Sequence, residues 1–252
     1  FYSGAAAELI SFAETHSIPV VETIAGRGVM LHDHPKNAGP LGVIGSSSAN
    51  TLAAEADVVI AVGTRLQDFT TGSWSVFGNQ QMRLIALNAG RFDAHKHRAL
   101  SIVGDALVGI EELGHALNDW KGPEVWASQA NSLYSEWNRT VDEHSGPTDA
   151  VPPSYAHVVG AINRACDETD LVLTAAGGFP GELCKNWKTK AVGTFHCEFG
   201  FSCMGYEIAG GWGAKMADPS RDVIVLIGDG SYLMMNSDIY SSCLLYTSDA
   251  AD

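Results

Sequence analysis

The hydrophobic positions near the start of the chain follow first a helical and then a strand-like spacing. Apolar residues recur every three to four positions over 5–14, which predicts a helix, and the apolar run at 18–21 predicts a short strand. Ser48 has the position of an N-cap for a second helix. The β-branched run at 57–62 has no polar alternation, which predicts a strand covered on both faces.

The same alternation continues to about residue 120. Strands are expected at 83–87 and 99–103, and Asp105 is expected to open a helix that ends near Leu117. Strands that alternate with helices predict a parallel sheet, because parallel neighbours need a crossover connection between them. Residues 1–120 are therefore predicted to form an open, Rossmann-like α/β unit.

The apolar rhythm weakens between residues 121 and 153, and Pro, Gly, Ser and acidic residues collect at 142–153. This composition is typical of a connector, and we place the boundary between two units there. Ser154 then has the position of an N-cap for a helix that continues to about Cys166. The second unit is expected to run from residue 154 to residue 242.

Strand-like runs return in this second unit at 170–174 and 222–227, with a helix between them at 204–216. The alternation again predicts an open parallel sheet with helices. The whole chain is thus expected to be α/β, with two parallel-sheet units.

Composition narrows the classes of partner. The chain has 252 residues and a formal net charge of −14, and an acidic surface repels phosphate backbones and anionic lipid. Nucleic acid and membrane partners are therefore not expected. No apolar run approaches the ~20 residues that span a bilayer, and the first residues have no secretory signal, so a cytoplasmic location is expected. The five cysteines form no CxxC pair and predict no disulfide framework.

The strongest chemical signal is the sequence VIVLIGDGS at 223–231, where a buried strand ends in Gly-Asp-Gly before a helix-compatible stretch. Ligands of parallel α/β sheets bind at the carboxyl ends of strands. Gly228 and Gly230 let backbone N–H groups approach an anion closely, and Asp229 supplies a hard oxygen donor. The arrangement suits a magnesium diphosphate, although Gly-Asp-Gly alone is as often an ordinary tight turn.

A second segment changes that balance. Residues 198–214 (EFGFSCMGYEIAGGWGA) place glycines before and inside a predicted helix. Each interior glycine costs a helix about 1 kcal/mol relative to alanine, and close contact with a ligand or a sheet would offset this cost. The glycine-rich helix therefore favours a binding site over a simple turn.

Several other polar residues are weaker candidates. His196 could reach the site, and His95 and His97 less readily, but an unplaced histidine is more often a surface or packed residue. Arg65 and Asp68 follow a predicted strand and could line a cleft, although a solvated loop is the simpler interpretation.

The segment GDGSYLMMNSDIYSS at 228–242 resembles the first half of the cofactor motif of the thiamine-diphosphate enzymes related to acetolactate synthase. The resemblance implies thiamine diphosphate and Mg²⁺ as cofactors. It also implies that Asp229 is a metal ligand and that Gly230 and Ser231 help to hold the diphosphate.

Two further segments share this resemblance. Met204, in the sequence CMG, stands at the place of the family's bulky apolar residue under the thiazolium ring, where it would force the bent cofactor conformation. The sequence AAGGFP resembles the start of the family's cofactor site. The resemblance therefore implies that Gly177, Gly178 and Phe179 border the diphosphate.

Within the family, the chain is most similar to the hydrolases of inositol catabolism. The segments that carry this similarity are VETIAGRGVMLHDHP, ADVVIAVGTRLQDFTTGSW, FDAHKHRAL and EFGFSCMGYEIAGGWGAKMA. It implies hydrolytic cleavage of a C–C bond in a cyclic 1,2-dione, from trihydroxycyclohexane-1,2-dione to 5-deoxy-glucuronate. The substrate would be a polyol-derived diketone, and a homo-oligomer, a dimer or tetramer, is the expected assembly.

The resemblance covers residues 1–242. It implies a central domain at 1–120 that lacks its first strand, a linker at 121–153, and the N-terminal half of a diphosphate-binding domain at 154–242. The family's catalytic glutamate and second metal ligand have no counterpart here, so no catalytic residue is assigned. Residues 243–252 no longer follow the family and are expected to be a non-native tail.

Two alternatives remain open. An acetolactate synthase-like carboligase acting on 2-keto acids would share the same cofactor anchor, and a catalytically silent fragment would need no complete site. A nicotinamide-binding fold is disfavoured, because no GxGxxG sequence follows an early strand with an acidic residue ~20 positions later.

Overall fold

The structure, a computed structural model, describes residues 1–248. The chain divides into two compact units, the first running from Phe1 to Glu143 and the second beginning at His144. Every strand pair among the described residues is parallel, which confirms the predicted fold class.

The chain up to residue 145 contains two parallel sheets. In chain order its elements are α1 (Ala6–Thr15), β1 (Val20–Glu22), a 3₁₀ turn (Ile24–Gly26), β2 (Asn37–Pro40), α2 (Ser47–Glu55), β3 (Val58–Val62), α3 (Asp68–Thr71), β4 (Arg83–Asn88), α4 (Arg91–Ala94), a second 3₁₀ turn (Lys96–Arg98), β5 (Leu100–Val103), α5 (Ala106–Leu117) and α6 (Glu124–Ser145). One sheet pairs β1 with β2, and the other has the order β3-β4-β5.

Strand β3 is covered on both faces, as its apolar run predicts. Ile60 and Val62 pack in a cluster with Phe12 of α1 and Ile110 of α5. Ala61 points the other way and belongs to a different apolar cluster. Because neighbouring side chains of a strand face opposite sides of its sheet, these two clusters lie on the two faces of β3.

The N-cap of α2 is Ser46, so the prediction of Ser48 is wrong. Ser46 has extended backbone and its side-chain oxygen accepts a hydrogen bond from Ala49 N at 3.1 Å. Ser48 lies inside the helix, and its hydroxyl donates to the carbonyl oxygen of Ala38 at 2.8 Å. The helix begins two residues earlier than expected because Ser46 also donates to the carbonyl oxygen of Pro40, at 3.0 Å.

Helix α6 lies inside the stretch for which the sequence predicts a connector. Trp126, Ala130 and Leu133 recur at helical spacing and pack with Ala38 and Leu52 of the first unit. The sequence pattern did not predict this helix at 124–145. Burial of this apolar stripe stabilises a helix that is otherwise rich in polar residues.

The second unit contains a three-stranded parallel sheet. Its elements are α7 (Tyr155–Ala165), β6 (Leu171–Thr174), α8 (Gly178–Asn186), β7 (Phe195–Cys197), α9 (Tyr206–Ala217), β8 (Val223–Val225), α10 (Asp229–Met235) and α11 (Ser237–Ser248). The sheet order is β7-β6-β8, so β6 is the central strand. Of the expected tail at 243–252, residues 249–252 lie outside the described residues.

Ser154 caps α7, as its position in the sequence predicts. Its side-chain oxygen accepts a hydrogen bond from His157 N at 3.3 Å, and the His157 ring accepts one from Ser154 N. This reciprocal arrangement satisfies two backbone donors at the start of the helix. None of the helices in residues 1–248 combines the length and the hydropathy that a bilayer span requires.

Candidate functional site

The loops that follow the three strands of the second sheet start at the same end of that sheet. Hydrogen bonds tie their first residues to the central strand. Glu198 N donates to the carbonyl oxygen of Thr174 at 3.1 Å, and the buried Thr174 hydroxyl donates to the carbonyl oxygen of Leu226 at 2.8 Å. The carboxyl end of β6 therefore holds the starts of the loops after β7 and β8, at the position where ligands of parallel sheets bind.

The Gly-Asp-Gly sequence joins β8 to α10. Gly228 is the N-cap of α10 and Asp229 its first residue. The Asp229 side chain is exposed, and one of its oxygens accepts a hydrogen bond from Gly230 N at 2.8 Å. Its other carboxylate oxygen has no hydrogen-bond partner in the part of the chain described here. Ser231, by contrast, is buried.

The Gly-Gly sequence after β6 starts helix α8. Gly177 is its N-cap, with φ 139°, and Gly178 is its first residue. A φ in this region favours glycine, and a side chain there would be strained. Phe179 is half-buried, and its ring lies 5.2 Å from the ring of Tyr155 at the start of α7. Both glycines are exposed at the carboxyl end of the sheet.

The loop between β7 and α9 brings Met204 to Gly230. Met204 is 41% exposed, and its Cε lies 3.5 Å from the point that a Cβ on Gly230 would occupy. Met204 and the Gly-Asp-Gly sequence, which the sequence proposes for one site, are therefore neighbours.

Two carboxylates hold the backbone of this loop. Glu198 accepts hydrogen bonds from Phe201 N at 3.1 Å and from Cys203 N at 2.9 Å. Glu207, which is fully buried in the first turn of α9, accepts one from Gly205 N at 2.9 Å. The second oxygen of Glu207 has no hydrogen-bond partner among the described residues.

A histidine and a tyrosine connect β7 to α9. A hydrogen bond of 2.9 Å joins His196 Nε2 to the Tyr206 hydroxyl. Burial lowers the pKa of His196, and the nearby charge of Glu198 opposes this shift. Gly210 leaves room for the Tyr206 ring, because a Cβ at Gly210 would lie 2.7 Å from it. His196 thus fixes the start of α9 rather than standing free at the surface.

The glycines of α9 also explain its contact with the sheet. A Cβ at Gly211 would lie 2.4 Å from Cγ2 of Val225 on β8. The helix therefore approaches β8 more closely than any larger residue would allow. Of the two close contacts expected for the glycine-rich helix, with a ligand or with a sheet, the structure shows the one with the sheet at Gly211.

The comparisons with known families agree with this division of the chain. Residues 1–113 match the family model described as "Thiamine pyrophosphate enzyme, central domain". Residues 175–244 match the model described as "Thiamine pyrophosphate enzyme, C-terminal TPP binding domain". Together the two models cover well over half of the chain.

The chain belongs to the thiamine pyrophosphate enzymes.

Curated relatives in this family share the similarity over nearly the whole chain. A protein of Geobacillus thermodenitrificans (strain NG80-2) is 36% identical over 264 residues, covering 96% of this chain and 41% of the relative. Proteins of Bacillus thuringiensis (strain Al Hakam) and Bacillus cereus (strain 03BB102) are each 38% identical over 265 residues, with the same coverage. All three are named 3D-(3,5/4)-trihydroxycyclohexane-1,2-dione hydrolase. The chain spans about 41% of the length of these relatives.

The part of the second unit that matches the TPP-binding domain of the family has loops that suit that cofactor. Asp229 is exposed and keeps a carboxylate oxygen free of hydrogen bonds within residues 1–248, as a metal ligand requires. A Cβ at Gly228 would meet no described atom within 4 Å, so this backbone is open to a close approach. The donor set and the space therefore fit a metal-bound diphosphate.

The weaker candidates have ordinary local roles. His95 lies 2.8 Å from the carbonyl oxygen of Arg91 and 3.2 Å from the Ser101 hydroxyl. His97 stacks on Trp74, with ring centroids 4.0 Å apart. Both histidines belong to the first unit, whereas Met204 and Gly230 meet in the second.

The other two weaker candidates also lie in the first unit. Arg65 donates to Gln67 at 3.3 Å. Asp68 is exposed and begins the short helix α3. Arg65 lies in the segment between β3 and α3, in agreement with the loop interpretation, whereas Asp68 lies in a helix.

Sequence reasoning missed Glu198, Tyr206 and Glu207. The signal was present, because two glutamates flank the CMG sequence and one of them opens a helix. An acidic residue in a first turn is usually solvated and interacts with the helix dipole, so its burial could not be expected from position alone.

Proposed function

We propose that the chain is the central and cofactor-binding part of a thiamine-diphosphate-dependent hydrolase that cleaves a C–C bond of a cyclic 1,2-dione. The proximity of Met204 to Gly230 carries this proposal, since it brings the loop after β7 next to the start of α10 at the carboxyl end of the sheet. The relatives named 3D-(3,5/4)-trihydroxycyclohexane-1,2-dione hydrolase support the substrate class.

Asp229 and the glycine loops would hold the diphosphate end of the cofactor. The exposed carboxylate of Asp229 is the proposed Mg²⁺ ligand, since Mg²⁺ joins protein carboxylates to phosphate oxygens. Gly228, Gly230 and Ser231 would border the diphosphate with their backbone, and the N–H of Gly230 also donates to Asp229.

The loop after β6 would border the same group. Gly177 and Gly178 are exposed and carry no side chain that blocks access, and Phe179 packs on Tyr155 beside them. These three residues are proposed to line the diphosphate from the side of the central strand.

Met204 would support the reactive ring of the cofactor. When bound, thiamine diphosphate supplies a carbanion that attacks a carbonyl and stores the electrons released by C–C cleavage. Met204 is half-exposed beside Gly230, so its thioether can pack under a ring whose diphosphate lies at the Gly-Asp-Gly sequence. Its proposed role is to orient the ring; no acid or base of the reaction is assigned within the chain.

The substrate would be a small polyol-derived diketone, and water would complete the ring opening. A homo-oligomer, as a dimer or tetramer, is the proposed assembly of the intact enzyme. Both statements rest on the family and on the names of relatives of which the chain spans about 41%.

Calorimetric titration tests the cofactor site on the chain itself. We expect thiamine diphosphate to bind only when Mg²⁺ is present, and Asp229→Ala to weaken that binding at least tenfold, about 1.4 kcal/mol. Asp149→Ala removes an equally exposed carboxylate of the second unit and serves as the control. Wild-type affinity in Asp229→Ala would refute the assignment of this carboxylate.

An activity assay separates the hydrolase from the carboligase. The chain is joined to the flanking segments of the Geobacillus thermodenitrificans relative to give a full-length hybrid protein. This hybrid protein is assayed either with the cyclic dione or with pyruvate as substrate. Ring-opened acid formed from the dione supports the proposal. Acetolactate formed from pyruvate, with no turnover of the dione, would favour the carboligase instead.

A further inference from the structure

Two carboxylates bracket Met204 in the chain and hold the amides on either side of it. Cys203 N donates to Glu198 and Gly205 N donates to Glu207, each at 2.9 Å. We propose that Glu198 and Glu207 are positioning residues that together fix Met204 against Gly230. This inference rests on the proposed function, because it assigns a purpose to the placement of Met204 under the cofactor.

Glu198 holds the first half of the loop. Its two carboxylate oxygens accept separate hydrogen bonds, one from Phe201 N and the other from Cys203 N. Hydrogen bonds to an ionised carboxylate are roughly twice as strong as those between neutral groups. Glu198 N itself donates a hydrogen bond to the carbonyl oxygen of Thr174 on β6. The loop is therefore attached to the central strand through Glu198.

Glu207 holds the second half from inside the protein. It is 0% exposed and reaches back to Gly205 N from the first turn of α9. A buried carboxylate with one unpaired oxygen is costly, so it adds little to the stability of the fold. Its contribution is geometric, since it fixes the residue that directly follows Met204.

The loop needs these bonds because burial does not hold it. Phe201 is 86% exposed, and Ser202, Cys203 and Met204 are exposed as well. Its backbone also turns through positive φ at Ser202 (55°) and at Gly205 (93°). Glycine adopts a positive φ without strain, but a serine does so only where surrounding contacts enforce it, and Glu198 holds the amides on both sides of Ser202.

Helix α9 gives the two carboxylates a fixed reference. Gly211 packs against Val225 on β8, and Tyr206 is hydrogen-bonded to His196 on β7. Helix α9 is therefore tied to both outer strands of the sheet, to β7 through its first residue and to β8 through Gly211. Glu207 extends this rigid attachment by one further residue, to Gly205.

Nuclear magnetic resonance on the chain tests the positions directly, without cofactor. The methyl groups of the six methionines are ¹³C-labelled, and the signal of Met204 should show a through-space contact with Gly230. Glu198→Ala and Glu207→Ala should remove this contact. They should also speed exchange of the amides they release, Cys203 and Gly205 respectively, by about tenfold or more. Exposed Glu168→Ala is the control and should change neither signal.

Glutamine variants distinguish positioning from general damage. Glu207→Gln keeps one carbonyl oxygen for one N–H and should restore the contact of Met204. Glu198→Gln keeps one acceptor for two N–H groups and should restore it only in part. If Glu207→Ala does not fold, the half-exposed Glu198 still provides the test. Unchanged contacts and unchanged amide exchange in Glu198→Ala would overturn the proposal.

Calorimetry with thiamine diphosphate and Mg²⁺ then connects position with binding. The alanine variants should bind about tenfold more weakly, and the Glu207→Gln variant should recover most of that loss. Released amides with unchanged affinity would overturn the positioning role. The wild-type chain could instead show the Met204 contact and protected amides but bind no cofactor, and this result would overturn the proposed function. Failure of the positioning role and failure of the proposed function are therefore distinguishable.

Discussion

Met204 Cε lies 3.5 Å from the point that a Cβ on Gly230 would occupy. Met204 follows β7 and Gly230 lies in the first turn of α10, which follows β8, so segments that follow the two outer strands of one sheet are neighbours here. A methyl group on Gly230 would make an ordinary van der Waals contact with Met204, whereas a branched side chain would extend further toward it.

Substitutions at Gly230 should affect folding stability and cofactor binding differently. Gly230→Ala should fold with unchanged or slightly raised stability, because alanine is favoured over glycine by about 1 kcal/mol in a helix. Gly230→Val should push Met204 away and weaken binding of thiamine diphosphate. Thermal unfolding and calorimetric titration measure the two effects. Equal cofactor affinity in both variants would contradict the dependence on this space.

A methyl group at Gly205 should be much less tolerated. Its φ is 93°, and a Cβ there would lie 2.2 Å from Cγ of Met235. Gly205→Ala should therefore lose about 2–4 kcal/mol of unfolding free energy from strain and overlap combined. Gly193→Ala is the matched control, because Gly193 has φ 76° but open space around it. It should lose only about 1 kcal/mol, and equal losses in denaturant unfolding would contradict the overlap.

The two glycines inside α9 should respond in opposite directions. Gly211→Ala puts a Cβ 2.4 Å from Val225 on β8 and should destabilise the fold by about 1–3 kcal/mol. Gly213 is exposed with no described atom within 4 Å, so Gly213→Ala should stabilise it by about 0.5–1 kcal/mol. Urea unfolding of both variants measures the difference. A stabilised Gly211→Ala would show that α9 does not need its close approach to β8.

Features set by local chemistry could be read from the sequence. Asp105 and Ser154 are N-caps as expected, because each stands alone before an apolar helix and bonds its own first turn. The Gly-Asp-Gly sequence follows a parallel strand as expected, and β3 is covered on both faces. In each case the sequence pattern and the packing agree.

Features set by contacts between distant parts of the chain could not be predicted from the sequence. Three serines in a row give equivalent local signals for the start of α2, and contact with Pro40 selects Ser46. The polar composition of 121–153 concealed the apolar stripe that makes α6 helical and buries it. The inward position of Glu207 depends on how α9 packs, which no local pattern encodes. The sequence therefore identifies the loop that contains Met204 but not the carboxylates of Glu198 and Glu207 that hold it.

His196 should make the stability of the fold depend on pH. Burial lowers its pKa from the ordinary value of 6.5, so the folded chain binds this proton less readily than the unfolded chain. Between the lowered pKa and 6.5 the unfolded state carries more protons, so stability rises with pH in that window. The full stability is present above 6.5, and part of it is lost as the pH falls through the lowered value.

Unfolding free energies of the wild type and of His196→Gln at several pH values between 5 and 8 isolate this contribution. Glutamine has no titrating group but can still bond the Tyr206 hydroxyl, so its stability should fall less steeply toward acid. A resonance titration of the His196 ring should give a midpoint below that of the same ring in urea. Parallel stability curves for the two proteins would show that His196 titrates alike in both states, against the burial that its contact with Tyr206 on α9 indicates.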